Sequence, residues 1–313
     1  MMRLVVGTRS SPLSLIQTDE VIHLMRLKNP NVNVEKKIIL TTGDKMKFKS
    51  ISPSQYPTGL RGIFEKEIDS ALLKGEVDFA VHSMKDVPST YPKGLEIASV
   101  PKRQSPYDVL VSRRRILLKD LSPGSIVGTG SLRRVIQLRK VRPDLKTKAL
   151  RGNVGTRIKE VEDGALDAVI LSEAGINRLG MRSVISERLA SKDFVPAAGQ
   201  GALVVLTRKN HKIPKKIFRD IDDKSSRAQV LAERQLSLRI EGGCMAPMGV
   251  LARSRGRSLV LTVCVYSVDQ NRSISVSLTG DVSRPLILGN RTADELLRYG
   301  GLDLIREWRG VTI

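Results

Sequence analysis

The segment GEVDFAVHS at residues 75–83 has an echo in GALDAVILS at residues 164–172. Each sets a glycine and an acidic residue ahead of an apolar run with little alternation, the pattern of a strand covered on both faces. A second pair, VVGTRS at 5–10 and IVGTGS at 126–131, precedes the first pair in the same order. One match alone is within chance; two in order predict two similarly built lobes.

Working outward, RLVVG (3–7), SIVGTG (125–130), KALRG (148–152) and ALVVLT (202–207) join the two echoes as candidate buried strands. Helical patterns lie between them at Leu13 to Leu27, Ile63 to Leu73 and Leu132 to Val141. Such alternation predicts α/β lobes with mainly parallel sheets. After about residue 220 the pattern changes. SSRAQVLAERQLSLRIEGG (225–243) reads as a helix with a serine N-cap and a glycine stop. MGVLARS, SLVLTVCVYS and RSISVSLTG follow as alternating strands, and TADELLRYGGLDLIREW closes the chain as helix. The expected division is lobe 1 at 1–101 plus about 200–219, lobe 2 at 102–199, and a small α+β C-terminal domain at 220–313.

The chain has 313 residues, 53 Lys plus Arg against 32 Asp plus Glu, and a formal net charge of +21. That excess favours an anionic partner: nucleic acid, acidic lipid or a polyanionic small molecule. An aromatic content of 4% argues against a reader that stacks bases on rings. No stretch reads as a membrane span or a basic amphipathic membrane helix, and the apolar run before Gly7 is too short for a signal peptide. Two cysteines, Cys244 and Cys264, make no disulfide framework, and no His/Cys cluster has metal-ligand spacing. The expectation is a cytoplasmic protein with reduced thiols and no metal.

Several strand-to-helix turns carry basic residues. In VGTRSSPLSL, Ser11 and Pro12 form an N-cap and N1 pair, which sets Arg9 beside free helix-start N–H groups. In VGTGSLRRVIQL, Ser131 is the expected N-cap, with Arg133 and Arg134 in the first turn, where cations oppose the helix dipole. ALRGNVGTRIKEV repeats the arrangement with Arg151 and Arg157. Taken singly, each arginine is as well explained as solvated surface. Together they point to bidentate capture of carboxylate or phosphate. The acidic exception is VHSMKDVP, where His82 to Asp86 follows a strand's C-terminal end, the place where α/β ligand crevices form. Asp86 in a basic cleft could stabilise a cation or exchange a proton. His82 fits a core residue at least as well as a catalytic one. The polar connection at 43–62 is long enough for a lid or a tether. In RIEGGCMAP (239–247), two glycines leave Cys244 little side-chain cover.

TRSSPL, AVHSMKDVP, GTGSLRR, LRGNVGTR, PAAGQGAL and IEGGC occur in the order found in the hydroxymethylbilane synthase family, also called porphobilinogen deaminases. The chain resembles that family from about residue 4 to 250. Single motifs are moderately specific; the ordered set ending in the cysteine is very specific. The resemblance implies two periplasmic-binding-protein-like lobes and the head-to-tail condensation of four porphobilinogen molecules. Ammonia is lost at each step, and hydroxymethylbilane is released by hydrolysis. It further implies a dipyrromethane cofactor held by a thioether to Cys244, whose thiolate captures an electrophilic azafulvene-type unit beside Gly243.

Carried over residue by residue, Asp86 becomes the catalytic carboxylate, with Lys85 binding a carboxylate or tuning it. Cofactor contacts fall on Ser83, Lys85, Asp86, Thr129, Ser131, Arg133, Arg134, Arg151, Gly152 and Asn153. Substrate contacts fall on Arg9, Ser11, Phe64, Arg151, Arg157, Arg178 and Gln200. Gln200 also marks the crossover back to lobe 1, where such a fold hinges. The implied partners are porphobilinogen and the growing oligopyrrole, on a monomer, with no nucleic acid and no membrane. Three positions depart from the family pattern. Gly130 replaces a hydroxyl residue, Arg61 replaces a loop lysine, and Glu173 replaces a small residue near the cleft. Glu173 would repel an acidic substrate unless paired, with Arg178 as the candidate partner. Competing readings are a nucleic-acid binder, which predicts steeply salt-dependent duplex binding, and a solute-binding module without chemistry. Neither explains both Asp86 and the cysteine loop.

Overall fold

A computed structural model describes residues 2–42, 65–88, 92–240 and 247–308. In the first lobe, β1 (Met2–Thr8), β2 (Val32–Ile38), β3 (Phe79–Ser83), β4 (Leu95–Ser99) and β10 (Leu203–Arg208) form one sheet in the order β2-β1-β3-β10-β4. The second lobe joins β5 (Asp108–Ser112), β6 (Ile126–Gly128), β7 (Lys146–Lys148), β8 (Ala168–Ser172) and β9 (Glu187–Arg188) in the order β7-β6-β8-β5-β9. The two orders are the same plan. In each sheet the antiparallel member is the strand that crosses over from the other lobe, β10 in the first and β5 in the second. The remaining strands run in one direction, so the sheets are mixed with a parallel majority.

Helices pack where the apolar periodicity placed them. α1 (Pro12–Lys28) and α2 (Lys66–Leu73) belong to the first lobe, and α3 (Leu132–Val141), α4 (Val154–Glu162) and α5 (Glu173–Arg178) to the second. Residues 63 and 64 of the expected second helix, the connection at 43–62 with Arg61, Phe64, and the Gly243–Cys244 loop all lie outside the described residues. The strand expected at KALRG sits earlier, at Lys146–Lys148, because Leu150 leaves the ladder to pack in the core of the second lobe. Strands β2, β4, β5 and β9 were not singled out from sequence. Three of them are short, and β2, β4 and β9 lie at sheet edges with exposed or half-buried positions.

A C-terminal domain follows the short helix α6 (Lys215–Arg219). Its antiparallel meander, β11 (Met248–Arg255), β12 (Ser258–Tyr266) and β13 (Ser273–Asp281), is covered by α7 (Lys224–Arg239), α8 (Pro285–Arg298) and α9 (Gly301–Glu307). The N-cap of α7 is Asp223 rather than the expected serine: its side chain accepts from the Ser226 N–H at 2.7 Å. A carboxylate at that end also suits the helix dipole. Cys264 on β12 is buried among Ile136, Val195 and Trp308, and burial raises its thiol pKa, as befits an inert core cysteine.

The two crossover segments touch where the motif PAAGQGAL predicts a hinge. Gly201 has φ +85°, and a Cβ there would lie 2.5 Å from the Gln104 carbonyl oxygen, so only glycine admits this approach. The C-terminal domain is fastened to the same point. Glu233 of α7 is fully buried, with Oε1 accepting from Arg103 at 2.7 Å and from the Ala252 N–H at 2.8 Å. Its Oε2 accepts from the Gly199 N–H at 2.6 Å. One carboxylate thus ties both crossovers to the third sheet.

Candidate active site

A cavity of about 170 Å³ opens between the lobes. The first lobe lines it with Arg9 and Ser11 from the β1–α1 turn and with Ser83, Lys85 and Asp86 from the end of β3. The second supplies Ser172, Ala174, Gly175 and Arg178, and the crossover adds Gln200. Local sequence explains this placement. Ser11 caps α1 by accepting from the Ser14 N–H at 3.2 Å, with Pro12 opening the helix, so Arg9 stands in the turn ahead of it. After β3, Met84–Asp86 makes one 3-10 turn, which ends at the extended Val87 before Pro88. Met84 plugs inward and is buried, which leaves Lys85 and Asp86 exposed toward the cavity.

The surrounding charges are unequal. Crowding by protein lowers the Lys85 pKa; Asp86 and Asp108 oppose that shift, while Arg134 and Arg133 reinforce it. Arg133 and Arg134 are not solvated at the start of α3 but buried. Asp108 Oδ2 accepts from Arg133 at 2.8 Å, and Asp108 Oδ1 accepts from Arg134 Nε at 3.0 Å. Burial alone would raise the Asp108 pKa, but the two guanidinium groups overcome it and hold the carboxyl well below the usual range. Gln200 joins them, donating to Asp108 Oδ1 at 2.9 Å and to the Pro106 carbonyl at 2.6 Å.

Of the residues expected from the resemblance, Arg9, Ser11, Ser83, Lys85, Asp86, Arg178 and Gln200 share the cavity. Arg178 is anchored there by Glu20 of α1 at 2.8 Å and by the Gly201 carbonyl at 3.2 Å. Thr129, Ser131, Arg133, Arg134, Arg151, Gly152, Asn153 and Arg157 do not line it. Ser131 holds the N-cap position of α3 without a side-chain capping bond. Asn153 caps α4 by accepting from the Thr156 N–H at 2.8 Å, and Arg157 Nε donates to the Gly152 carbonyl at 3.0 Å. Gly130 has a steric reason of its own: a Cβ there would lie 2.5 Å from the Leu150 carbonyl oxygen.

Glu173 is paired, but not with Arg178. It accepts from Arg188 Nε at 2.7 Å and from Ser105, and these bonds lower its pKa against the effect of burial. Its neighbours Ser172, Ala174 and Gly175 line the cavity while Glu173 does not. His82 lies just before the Met84–Asp86 turn, buried, with Nε2 3.9 Å from Asp69 Oδ1. Neither atom has a hydrogen-bond partner among the described residues. Burial, and secondarily Arg9, lowers the His82 pKa to about 4, and burial raises that of Asp69 to about 6. Sequence reasoning missed Asp108, Glu20, Glu233 and the bare Ala174–Gly175 wall. The signal available for Asp108 was the pair of arginines at a helix start, which demands an anion without naming it.

The donor set suits a ligand that carries carboxylates and pyrrole N–H groups. Arg9, Lys85 and Arg178 face one cavity with the acceptor Asp86, and buried Arg133 Nε has no partner among the described residues. The family model described as "Porphobilinogen deaminase, dipyromethane cofactor binding domain" matches residues 4–216, and the corresponding C-terminal domain model matches 228–298. The chain is 41% identical over 308 residues to a probable porphobilinogen deaminase of Nitrosopumilus maritimus, covering 98% of this chain and 97% of that one. It is also 41% identical over 305 residues to the porphobilinogen deaminase of Desulforudis audaxviator, covering 97% of each. Among solved structures, the substrate-binding domain of a putative molybdenum ABC transporter from Clostridium difficile aligns with a TM-score of 0.44 and 11% identity. That alignment covers 72% of this chain and 94% of the other.

Proposed function

The chain belongs to the porphobilinogen deaminase family, and from that premise we propose how its own residues perform the condensation of four porphobilinogen molecules into hydroxymethylbilane. The observation that carries this reading is the meeting of Asp86 and Lys85 with Arg9, Ser11 and Arg178 in one interlobe cavity. The family's dipyrromethane supplies a primer with a free pyrrole α-carbon, anchored at Cys244.

Asp86 accepts hydrogen bonds from pyrrole N–H groups and offsets the positive charge that develops on the porphobilinogen ring as ammonia departs. As the only carboxylate among the described residues that line this cavity, it is also the group that takes up and returns the α-proton during coupling. Lys85 tunes Asp86 and contacts the acetate and propionate groups. Arg9, Ser11 and Arg178 orient the incoming monomer, and Gln200 contacts it from the crossover. Ser83, Thr129, Ser131, Arg133, Arg134, Arg151, Gly152, Asn153, Gly243, Phe64 and Arg157 complete the proposed contacts to the pyrrole chain.

The lobe boundaries at 1–101 with about 200–219, 102–199 and 220–313, a monomeric state, a cytoplasmic location and the absence of nucleic-acid and membrane partners belong to the same proposal. Among the described residues no helix is long and apolar enough to cross a membrane. The test is the intact mass of the purified protein beside Cys244→Ser. A mass excess of two pyrrole units that is lost in the variant supports the reading. A chain without that excess, still unmodified after incubation with porphobilinogen, refutes it and brings the solute-binding module forward.

A further inference from the structure

Asp108 opens β5, immediately after the first crossover, and is fully buried. Its two oxygens take four donors: Arg133 at 2.8 Å, Arg134 Nε at 3.0 Å, Arg134 Nη2 at 2.6 Å and Gln200 at 2.9 Å. The cluster is braced on every side. Arg134 Nη1 donates to the Ile170 carbonyl of β8 at 3.0 Å. Arg133 donates to the Val195 carbonyl at 2.7 Å and to Gln137 Oε1 at 2.9 Å. Gln137 in turn donates to the Tyr266 hydroxyl of β12 at 2.9 Å. A continuous buried chain therefore runs from the C-terminal domain through Gln137, Arg133, Asp108 and Arg134 to Gln200 at the cavity.

A fully buried carboxylate shared by two arginines is costly to assemble for stability alone, since apolar residues of similar size often do as well. The cluster also retains one buried donor, Arg133 Nε, with no partner among the described residues. Fixing two guanidinium planes in a dry site before an anion arrives removes the reorganisation that flexible arginines would need at each step.

We propose that Asp108 is a positioning residue: it holds Arg133, Arg134 and Gln200 as one rigid unit, coupled to the C-terminal domain through Gln137 and Tyr266, so that Gln200 and the field of the two guanidinium groups behind it stay fixed as each pyrrole is added. This rests on the function proposed above. Removing the Asp108 charge leaves the surroundings one unit more positive, so an acidic substrate is still held, but its alignment is lost. A misplacement of about 1 Å costs on the order of a hundredfold in rate.

The test compares holoenzyme of wild type, Asp108→Asn and Tyr266→Phe by intact mass, hydrogen exchange over residues 131–137, kcat and KM for porphobilinogen. The expected result for Asp108→Asn is a retained two-pyrrole mass, faster exchange, a kcat down about tenfold or more, and an unchanged or lowered KM. Partly elongated covalent intermediates accumulate. Tyr266→Phe, which removes one hydroxyl that does not line the cavity, follows the same pattern with about a two- to threefold loss of kcat. Wild-type kinetics in both variants overturn the proposal, as does a raised KM with kcat unchanged. If Asp108→Asn fails to fold, Tyr266→Phe decides, and a wild-type kcat and exchange rate there overturn the proposal. A wild-type chain without the two-pyrrole mass would refute the underlying function instead, so the two failures are distinguishable.

Discussion

The two lobes repeat one plan, yet only the first sets a carboxylate among the described residues that line the cavity. Aligning the echoes sets Lys85 and Asp86 of the first lobe against Ala174 and Gly175 of the second, and all four line the cavity. Arg9 is matched by Gly130 in the same way. Where the first lobe presents a cation or a carboxylate, the second presents almost no side chain. Apart from Arg178, which lines the cavity, charges of the second lobe are turned inward: Arg133 and Arg134 onto Asp108, and Glu173 onto Arg188. The difference teaches a division of labour. Under the proposed function, the first wall supplies the carboxylate, and the second supplies Arg178, space and a fixed electrostatic background for a growing polyanion.

The sharpest way to break that comparison is to neutralise a carboxylate on each side. Asp86→Asn should lower kcat by about 10²–10⁴-fold, the usual worth of a positioned acid–base group, while the fold and the attached pyrrole mass persist. Next in size is Gly130→Ala. Its methyl group would press on the Leu150 carbonyl from 2.5 Å, so a loss of about 1–3 kcal/mol in denaturant unfolding is expected. The matching change at Gly155, whose Cβ would have its nearest neighbour at 3.5 Å, serves as the control.

Glu173→Gln should cost about 1–2 kcal/mol of stability by weakening a pair whose arginine is half exposed, and leave kcat within about twofold. A kcat loss like that of Asp86→Asn would mean that Glu173 takes part in the chemistry.

The smallest effect concerns the buried pair Asp69 and His82. Asp69 keeps its proton in the fold up to about pH 6, whereas the unfolded carboxyl releases it near 3.8. Its contribution to stability therefore falls as pH rises between those values. Asp69→Asn should gain on the order of 1 kcal/mol at pH 6 and above, with no gain below about pH 4. His82, whose folded pKa is lowered to about 4, acts in the opposite sense and loses stability as pH falls from 6.5. Urea unfolding at pH 4 and pH 7 separates the two.

Much of this was legible in the sequence because it is local. Buried strands announced themselves as apolar runs, α3 begins and ends where its periodicity does, and Ser11 with Pro12 opens α1 as its residue types require. The resemblance to the family named seven of the residues that line the cavity before any geometry was known. What stayed hidden is non-local. Nothing near Arg133 and Arg134 in the chain names Asp108, 25 residues from the first and 26 from the second, as the anion that settles their conflict with the helix dipole. Glu173 was read as a threat needing Arg178, but Arg178 had already been claimed by Glu20 across the cleft and Glu173 by the edge strand β9. The reason for Gly130 is a carbonyl on the far side of a turn, which no local pattern encodes.

The most direct measurement is intact mass spectrometry of Asp86→Asn and Glu173→Gln holoenzymes at intervals after mixing with porphobilinogen. The account predicts that Glu173→Gln adds pyrrole units at the wild-type rate, whereas Asp86→Asn carries its two-pyrrole mass but adds further units at least about a hundredfold more slowly. Elongation of Asp86→Asn at the wild-type rate would contradict it, because the cavity's only carboxylate among the described residues would then not be the group that handles the charge and the proton.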